Sequence, residues 1–271
     1  MPKISVIMGV YNCNDYEGLK TSVMSIINQT YKDWELLICN DGSTNNTLEL
    51  LNEIAKLDSR IKILSYGKNR TLAGALNFCL EHAKGEYIAR QDDGYDESVY
   101  ERFQKQIEFL EKREEYDFVG SNMKVFDGNG FEGQVILPEK ITKNDFLWNS
   151  PVSHPSIIVR KSAYEKVGGY RISKETRRCE DYDLFMRMYS VGLKGYNIQE
   201  NLYLYKVVLD THNKYRPMKY RIDEAVVRYK GFREMGILLK GLPYILKPIL
   251  ISLIPARLFT SMKKFMYKRD N

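Results

Sequence analysis

Three groups of carboxylates stand out by type and spacing. The run Asp92-Asp93-Gly94-Tyr95-Asp96 carries acids that hard-cation chemistry could use: oxygen ligands hold a divalent ion, and the ion neutralises phosphate charge. On an extended chain residues 92 and 94 share one side while Asp93 points the other way. Gly94 permits a turn that redirects Asp93 and lets Asp96 swing in. The plainer alternative is a surface turn decorated with acids. Glu180-Asp181 opens a helical pattern, where acids favour the helix dipole, yet a carboxylate there could also take a proton from a hydroxyl. Asp41, in the turn Asn40-Asp41-Gly42-Ser43, could accept two hydrogen bonds, as a uracil N–H or a ribose hydroxyl would require. It could equally cap the helix that follows Ser43.

These residues need a scaffold, and the first hundred positions supply one. Apolar strand-like runs at Ile4 to Val10, Trp34 to Cys39, Ile61 to Leu64 and Glu86 to Ala89 alternate with helical spacing at Leu19 to Ile27, Thr47 to Leu57 and Leu72 to Ala83. Such alternation predicts an α/β fold, a parallel sheet with helices on both faces. Ligands of such folds bind beyond the carboxyl ends of the strands, which directs attention to Tyr11-Asn12, Asp41-Gly42 and Asp92-Asp93. Beyond them the pattern predicts a helix over about Val99 to Lys112 and a strand at Phe118 to Val125. A strand at Ser156 to Val159, a helix at Tyr182 to Ser190, a strand at Leu202 to Val208 and a helix from about Pro217 to Met235 follow.

The order of motifs along the chain resembles family 2 glycosyltransferases of the GT-A fold, of the type that builds bacterial surface polysaccharides. The stretches that carry the resemblance are Ser5-Val6-Ile7-Met8-Gly9-Val10-Tyr11-Asn12, Ser25-Ile26-Ile27-Asn28-Gln29-Thr30-Tyr31 and Glu35 to Thr44, together with Ser153-His154-Pro155-Ser156, Val167-Gly168-Gly169-Tyr170 and Cys179 to Leu184. It covers roughly the first 210 residues. Gly9 stands where a proline is common, and Gly94 departs from the family's Asp-x-Asp pattern.

The resemblance implies a Rossmann-like, mostly parallel sheet flanked by helices, with a GT-A domain over 1–212. Its nucleotide-sugar half would be 1–96 and its acceptor half 97–212, with a C-terminal helical, membrane-associating segment at 213–271. It implies a donor site drawn from Val10, Tyr11, Asn12, Asp41, Gly42, Asn69, Asn77, Arg90, Asp92 and Asp93, with His154 on the acceptor side. A divalent cation, Mn²⁺ or Mg²⁺, would be held by Asp92 and Asp93, with Asp96 and His212 compensating for Gly94. Asp181 would be the base and Glu180 its neighbour. A lone histidine in a loop such as His154 is also an ordinary structural residue. The expected activity is inverting transfer from a nucleotide-sugar donor, a UDP-sugar first, to a saccharide or lipid-linked oligosaccharide acceptor. A catalytically impaired relative that only binds the nucleotide sugar is the alternative that Gly94 raises. A nucleotidyltransferase would need a glycine-rich, basic phosphate loop after the first strand, and Val10-Tyr11-Asn12-Cys13-Asn14 does not supply one.

Charge locates a further partner. The net charge is +6, and from Lys240 onward seven basic residues stand against the single acid Asp270, so this segment holds the whole excess. A nucleic-acid binder would spread basic character over a groove-facing surface, so no nucleic acid is expected. Basic residues beside apolar ones point instead to an anionic membrane surface. Between Gly236 and Pro255 two lysines and three prolines interrupt the apolar run. A spanning helix needs about 20 apolar residues, so short amphipathic pieces lying in the interface are expected, or else a helix packed on the domain or in a homodimer contact. Four scattered cysteines without CxxC spacing read as reduced thiols. No charged leader or cleavage site precedes Ile4, so no signal peptide is expected and the protein is placed in the cytoplasm, peripheral at the inner face of the membrane.

Overall fold

Continuous apolar runs make strands buried on both faces, and the first, second and fourth strands are of this kind. The computed structural model describes residues 1–207 and 217–252, with positions 254, 261, 262, 265 and 267 beyond them. Ile4–Val10 form β1, Tyr16–Ile27 α1, Trp34–Asn40 β2, Thr47–Ala55 α2, Ile61–Ser65 β3, Thr71–His82 α3 and Tyr87–Arg90 β4. Within β1 and β2, alternate residues feed two different cores. Ile4, Val6, Met8, Val10, Leu36 and Ile38 face one, with Leu19, Val23, Leu51 and Ile54 of α1 and α2. Ile7, Leu37 and Cys39 face the other, with Leu76 and Cys79 of α3. The two-residue period of a strand thus sorts one apolar run onto both helical layers.

The chain continues through β5 (Glu97–Ser98), α4 (Arg102–Lys112), β6 (Phe118–Phe126), β7 (Glu132–Val135), β8 (Ile158–Arg160), α5 (Lys161–Val167), α6 (Glu180–Ser190) and β9 (Gly195–Lys206). The sheet order is β3-β2-β1-β4-β8-β6-β9-β5, with β7 on the outer part of β6. The pairs among β3, β2, β1 and β4 are parallel, as is β6 with β9. β8 enters antiparallel between β4 and β6. Parallel registry sets Val10 beside Asn40, Asn40 beside Ser65 and Ile7 beside Arg90. The loops after β1, β2, β3 and β4 therefore open along one edge, which is why Tyr11, Asp41, Asn69 and Asp92 can share a site.

The C-terminal segment is tied to the domain. Met218–Glu234 form α7, Leu238–Ile245 α8 and Lys247–Ile251 α9. Val227 and Phe232 of α7 lie in the same core as Phe185 and Met186 of α6. Arg228, only 1% exposed, donates to the carbonyl oxygens of Leu147 at 3.0 Å and Trp148 at 3.1 Å and pairs with Glu224. So α7 packs on α6 and on the loop at 147–148, and the expected boundary at residue 212 or 213 falls outside the described residues. His212 lies outside them as well. Among the described residues no helix is long and apolar enough to cross a membrane. Instead α8 and α9 are short, and Leu239, Leu242, Leu246 and Leu250 are exposed on them, Leu239 at 86%.

Candidate donor and transfer site

Asp41 is fixed before any ligand arrives. The chain leaves β2 at Asn40 and turns at Gly42, whose φ of +63° suits glycine. A Cβ at Gly42 would lie 2.4 Å from the Asn69 backbone nitrogen, so the turn packs tightly on the loop after β3. That loop then closes on the Asp41 carboxylate. Oδ1 accepts the Tyr66 hydroxyl at 2.6 Å and the Arg70 N–H at 2.7 Å, and Oδ2 accepts the Asn69 amide at 2.8 Å. Burial and the neighbouring Asp41 raise the Tyr66 pKa, which keeps its hydroxyl a donor. The capping alternative falls: α2 is capped by Asn46, with no side-chain bond, and the Thr47 N–H goes to Asn45. Oδ2 retains a further lone pair for an incoming N–H.

The first loop is stapled to the second. Asn12 sits at φ 48°, its amide oxygen accepts the Thr44 N–H at 2.9 Å, and its own N–H donates to the Ser43 hydroxyl at 2.9 Å. Tyr11 beside it is half exposed and offers an aromatic face. Together these loops form one wall of a cleft of about 500 Å³. Val10, Tyr11, Asp41, Asn69 and Thr71 line that side, while Ser173, Thr176, Arg177, Arg178, Glu180 and Tyr220 line the rest. Four non-glycine residues have positive φ among the described residues: Asn12, Thr71, Tyr95 and Arg178. All four lie on the cleft, in the loop after β1 or in the acidic turn. Strained backbone of this kind costs energy and persists where function needs the shape.

The acidic turn leaves β4 at the same edge of the sheet, and none of its residues lines the cleft. Arg90 is buried and ion-paired with Asp92, and its Nη1 reaches the Ile7 carbonyl at 3.3 Å. The Asp92 N–H donates to the Tyr203 hydroxyl at 3.2 Å. Gly94 and Tyr95 then take φ values of +78° and +72° and reverse the chain, the turn expected of Gly94. The reversal carries Asp96 into the protein, where it is buried. Its oxygens accept the Lys206 N–H at 2.9 Å and the Tyr203 hydroxyl at 3.4 Å. Among the described residues no three His, Cys, Asp or Glu side chains converge as a metal set. Asp96, the further ligand expected for the cation, is thus bonded within the fold to Lys206 and Tyr203. Burial and then the Asp92 charge push Asp93 up to about 6 and Asp96 up to about 8. Asp92 and Asp93 are the two carboxylates of this turn that offer a divalent cation hard oxygen donors.

Glu180 and Asp181 open α6 behind Cys179, which makes no side-chain cap bond. Glu180 lines the cleft, and burial followed by the Asp181 charge raises its pKa. Asp183 is structural, held by Arg187 at 2.7 Å and Arg171 at 3.1 Å. The Tyr205 hydroxyl links the two acidic regions: burial raises its pKa most, then Asp92 and Asp96, with Asp181 also contributing. Asp181 and the Asp92 turn thus both lie near enough to the Tyr205 hydroxyl for their charges to act on it.

Two expected site residues serve the framework instead. Asn77 clamps the Tyr170 backbone, donating to its carbonyl and accepting its N–H, both at 2.8 Å, and it does not line the cleft. His154 is buried, with its Nε2 2.8 Å from the Tyr170 hydroxyl, and burial and then Arg90 hold its pKa well below the usual histidine value. Arg90 likewise stands behind the cleft and positions Asp92. The sequence reading missed Tyr66, Thr71, Ser173, Thr176, Arg177, Arg178 and Tyr220. Tyr66 follows a strand end, and the Arg177-Arg178 pair precedes Glu180-Asp181, so both carried a signal. Tyr220 carried none.

Comparison with known proteins agrees with this geometry. Residues 5–168 match the sequence profile described as Glycosyl transferase family 2. EpsE of Bacillus subtilis (strain 168), named as a glycosyltransferase, is 42% identical over 97% of this chain and 94% of its own. An Escherichia coli protein named as the UDP-Glc:alpha-D-GlcNAc-diphosphoundecaprenol beta-1,3-glucosyltransferase WfgD is 28% identical over 86% of this chain and 82% of its own. The fold is also that of residues 1–349 of Staphylococcus aureus TarS, solved with UDP, at a TM-score of 0.68 and 19% identity. That match covers 90% of this chain and 72% of the other.

Proposed function

The chain belongs to glycosyl transferase family 2, and on that premise we propose that it transfers a sugar, with inversion, from a UDP-sugar to a hydroxyl of a lipid-linked saccharide in surface-polysaccharide assembly. The observation that carries the donor assignment is the Asp41 carboxylate. Three protein donors lock it in place, and it meets the cleft with a lone pair left over. The imide N–H of uracil matches that acceptor, and Tyr11 offers a surface for the ring to stack on. The lipid-linked acceptor is supported by what the name of the WfgD relative states of that protein.

In the transfer, the acceptor oxygen attacks the anomeric carbon of the donor sugar as Asp181 takes its proton. The bond from that carbon to the β-phosphate oxygen breaks, and its electron pair leaves with the nucleoside diphosphate. A carboxylate suffices as base because the hydroxyl becomes more acidic as the new bond forms. Asp92 and Asp93 would hold a divalent cation, which neutralises charge on the diphosphate. Arg90 keeps Asp92 in place for that task.

The exposed leucines of α8 and α9 support docking at a membrane surface. Trp148 adds to them, exposed and set edge-on to Tyr244 of α8. Apolar side chains with a basic surplus suit an anionic bilayer interface, and docking there would bring the acceptor's lipid within reach.

A second reading, a relative that binds donor without turnover, draws on Gly94 in the Asp-x-Asp position and on Asp96 being bonded to Lys206 and Tyr203. A transfer assay separates the two. Release of UDP from UDP-glucose, UDP-galactose or UDP-GlcNAc that requires a diphosphoundecaprenol-linked sugar supports the transferase. UDP binding with no turnover on any such pair supports the second reading.

A further inference from the structure

Arg177 and Arg178 both line the cleft. They close the segment between α5 and α6, both are exposed, and neither forms an ion pair among the described residues. Their neighbours differ. Arg171 pairs with Asp183 and Glu234, Arg187 with Asp183, and the nearby acid Glu175 is held by Lys230 at 2.5 Å. Among the described residues the Arg178 guanidinium has one partner, the ring of Tyr220, another cleft residue, 5.8 Å from its carbon.

The segment that presents them is firmly built. Thr176 is buried; its hydroxyl donates to the Arg171 carbonyl at 2.8 Å and accepts the Ser173 N–H at 3.2 Å. Its carbonyl accepts the Cys179 N–H at 2.8 Å. This knot holds Arg178 at a φ of +72°, a conformation that a non-glycine residue adopts only when its surroundings impose it. A rigid, strained loop that directs two unpaired guanidiniums at a ligand cleft points to an anionic group on the ligand.

Charge decides which group. A divalent cation between the Asp92 and Asp93 carboxylates, with Arg90 paired to Asp92, sums to a single positive charge, less than the charge on a nucleoside diphosphate, which therefore still needs partners. Planar guanidiniums match phosphate oxygens with paired hydrogen bonds. At the other end of the cleft Asp41 is surrounded by its own donors and claims no cation. We propose that Arg177 and Arg178 hold the diphosphate of the bound sugar nucleotide from the α5–α6 side of the cleft. The assignment rests on the donor reading above. The same chemistry could be supplied by the diphosphate of a lipid-linked acceptor, so the test must tell the two apart.

The test is calorimetric titration of the full chain with UDP and with UMP in the presence of Mn²⁺. It compares the unmodified protein, Arg177→Ala with Arg178→Ala in one variant, and Arg178→Lys. The double variant is expected to bind UDP about tenfold or more weakly, the scale of lost charged hydrogen bonds. UMP, which lacks the β-phosphate, should change far less, and Arg178→Lys should recover part of the UDP affinity. Equal losses for UDP and UMP, or no loss for either, would overturn the assignment. Unchanged UDP binding with a tenfold rise in KM for a diphosphate-linked acceptor would also overturn it and give the arginines to the acceptor. Failure of the unmodified protein to bind UDP at all would instead sink the donor reading on which the assignment stands.

Discussion

Tyr66 donates its hydroxyl to Asp41 across 2.6 Å, so a residue just past one strand aims the carboxylate that follows another. The bond explains how a buried acid can serve as a fixed acceptor. Tyr66 and Arg70 occupy Oδ1, and Oδ2 is left to face the cleft with Asn69.

Tyr66→Phe removes one of these bonds and leaves the ring packing against Phe78 intact. We expect UDP affinity to fall roughly threefold to tenfold, in line with one net hydrogen bond, with kcat nearly unchanged. A fall in kcat at unchanged affinity would place Tyr66 in the transfer step rather than in nucleotide binding. Steady-state kinetics beside UDP titration separates the two.

Asp181→Asn keeps the size of the side chain and removes the basic oxygen. Transfer should drop by about a hundredfold or more while UDP affinity stays within roughly twofold. Glu180→Gln should be milder on turnover. If Glu180→Gln were the inactive variant and Asp181→Asn active, the two roles would be exchanged.

Lys247 anchors the start of α9 to the loop of Trp148. Its ammonium reaches the Asn149 amide oxygen at 2.9 Å and the Trp148 carbonyl, and it lies 3.8 Å from the centre of the Trp148 ring. Burial, with Arg228 nearby, lowers its pKa to about 8. The folded protein then binds fewer protons than the unfolded chain between about pH 8 and the ordinary lysine value near 10.5, so stability should rise with pH across that window. Lys247→Met should flatten this part of the profile of melting temperature against pH. A profile unchanged by the substitution would show that Lys247 does not titrate in that range.

The outer leucines of α8 and α9 predict a membrane effect without a folding effect. Changing Leu239, Leu242, Leu246 and Leu250 to Gln should reduce sedimentation with anionic vesicles at least about tenfold, since each buried leucine contributes on the order of 1.5–3 kcal/mol. The melting temperature should hold, because these side chains face outward. Full retention on vesicles would remove this surface as the docking face.

Much of this could be read from the residues alone, for a physical reason. Ile4 to Val10 and Trp34 to Cys39 are long apolar runs that end in turn formers, so both the strands and their ligand-bearing ends were legible. β7, with Glu132-Gly133-Gln134-Val135, has almost no apolar signal and exists through its pairing with β6. The antiparallel entry of β8 depends on neighbours distant in sequence. Asn77 and His154 were assigned to the site because a polar residue turned inward looks the same in sequence whether it holds a ligand or Tyr170. Arg177 and Arg178 were missed for the converse reason: only the folded loop shows that they face a cleft.

The central claim is a uridine-diphosphate site built on Asp41, and titration of the protein and its Asp41→Asn variant with UDP and Mn²⁺ tests it most directly. The account predicts saturable binding by the unmodified protein. It predicts a loss of about tenfold or more in the variant, whose amide group replaces an acceptor that Tyr66, Asn69, Arg70 and the base all require. UDP binding of equal strength by both proteins, or by neither, would contradict it.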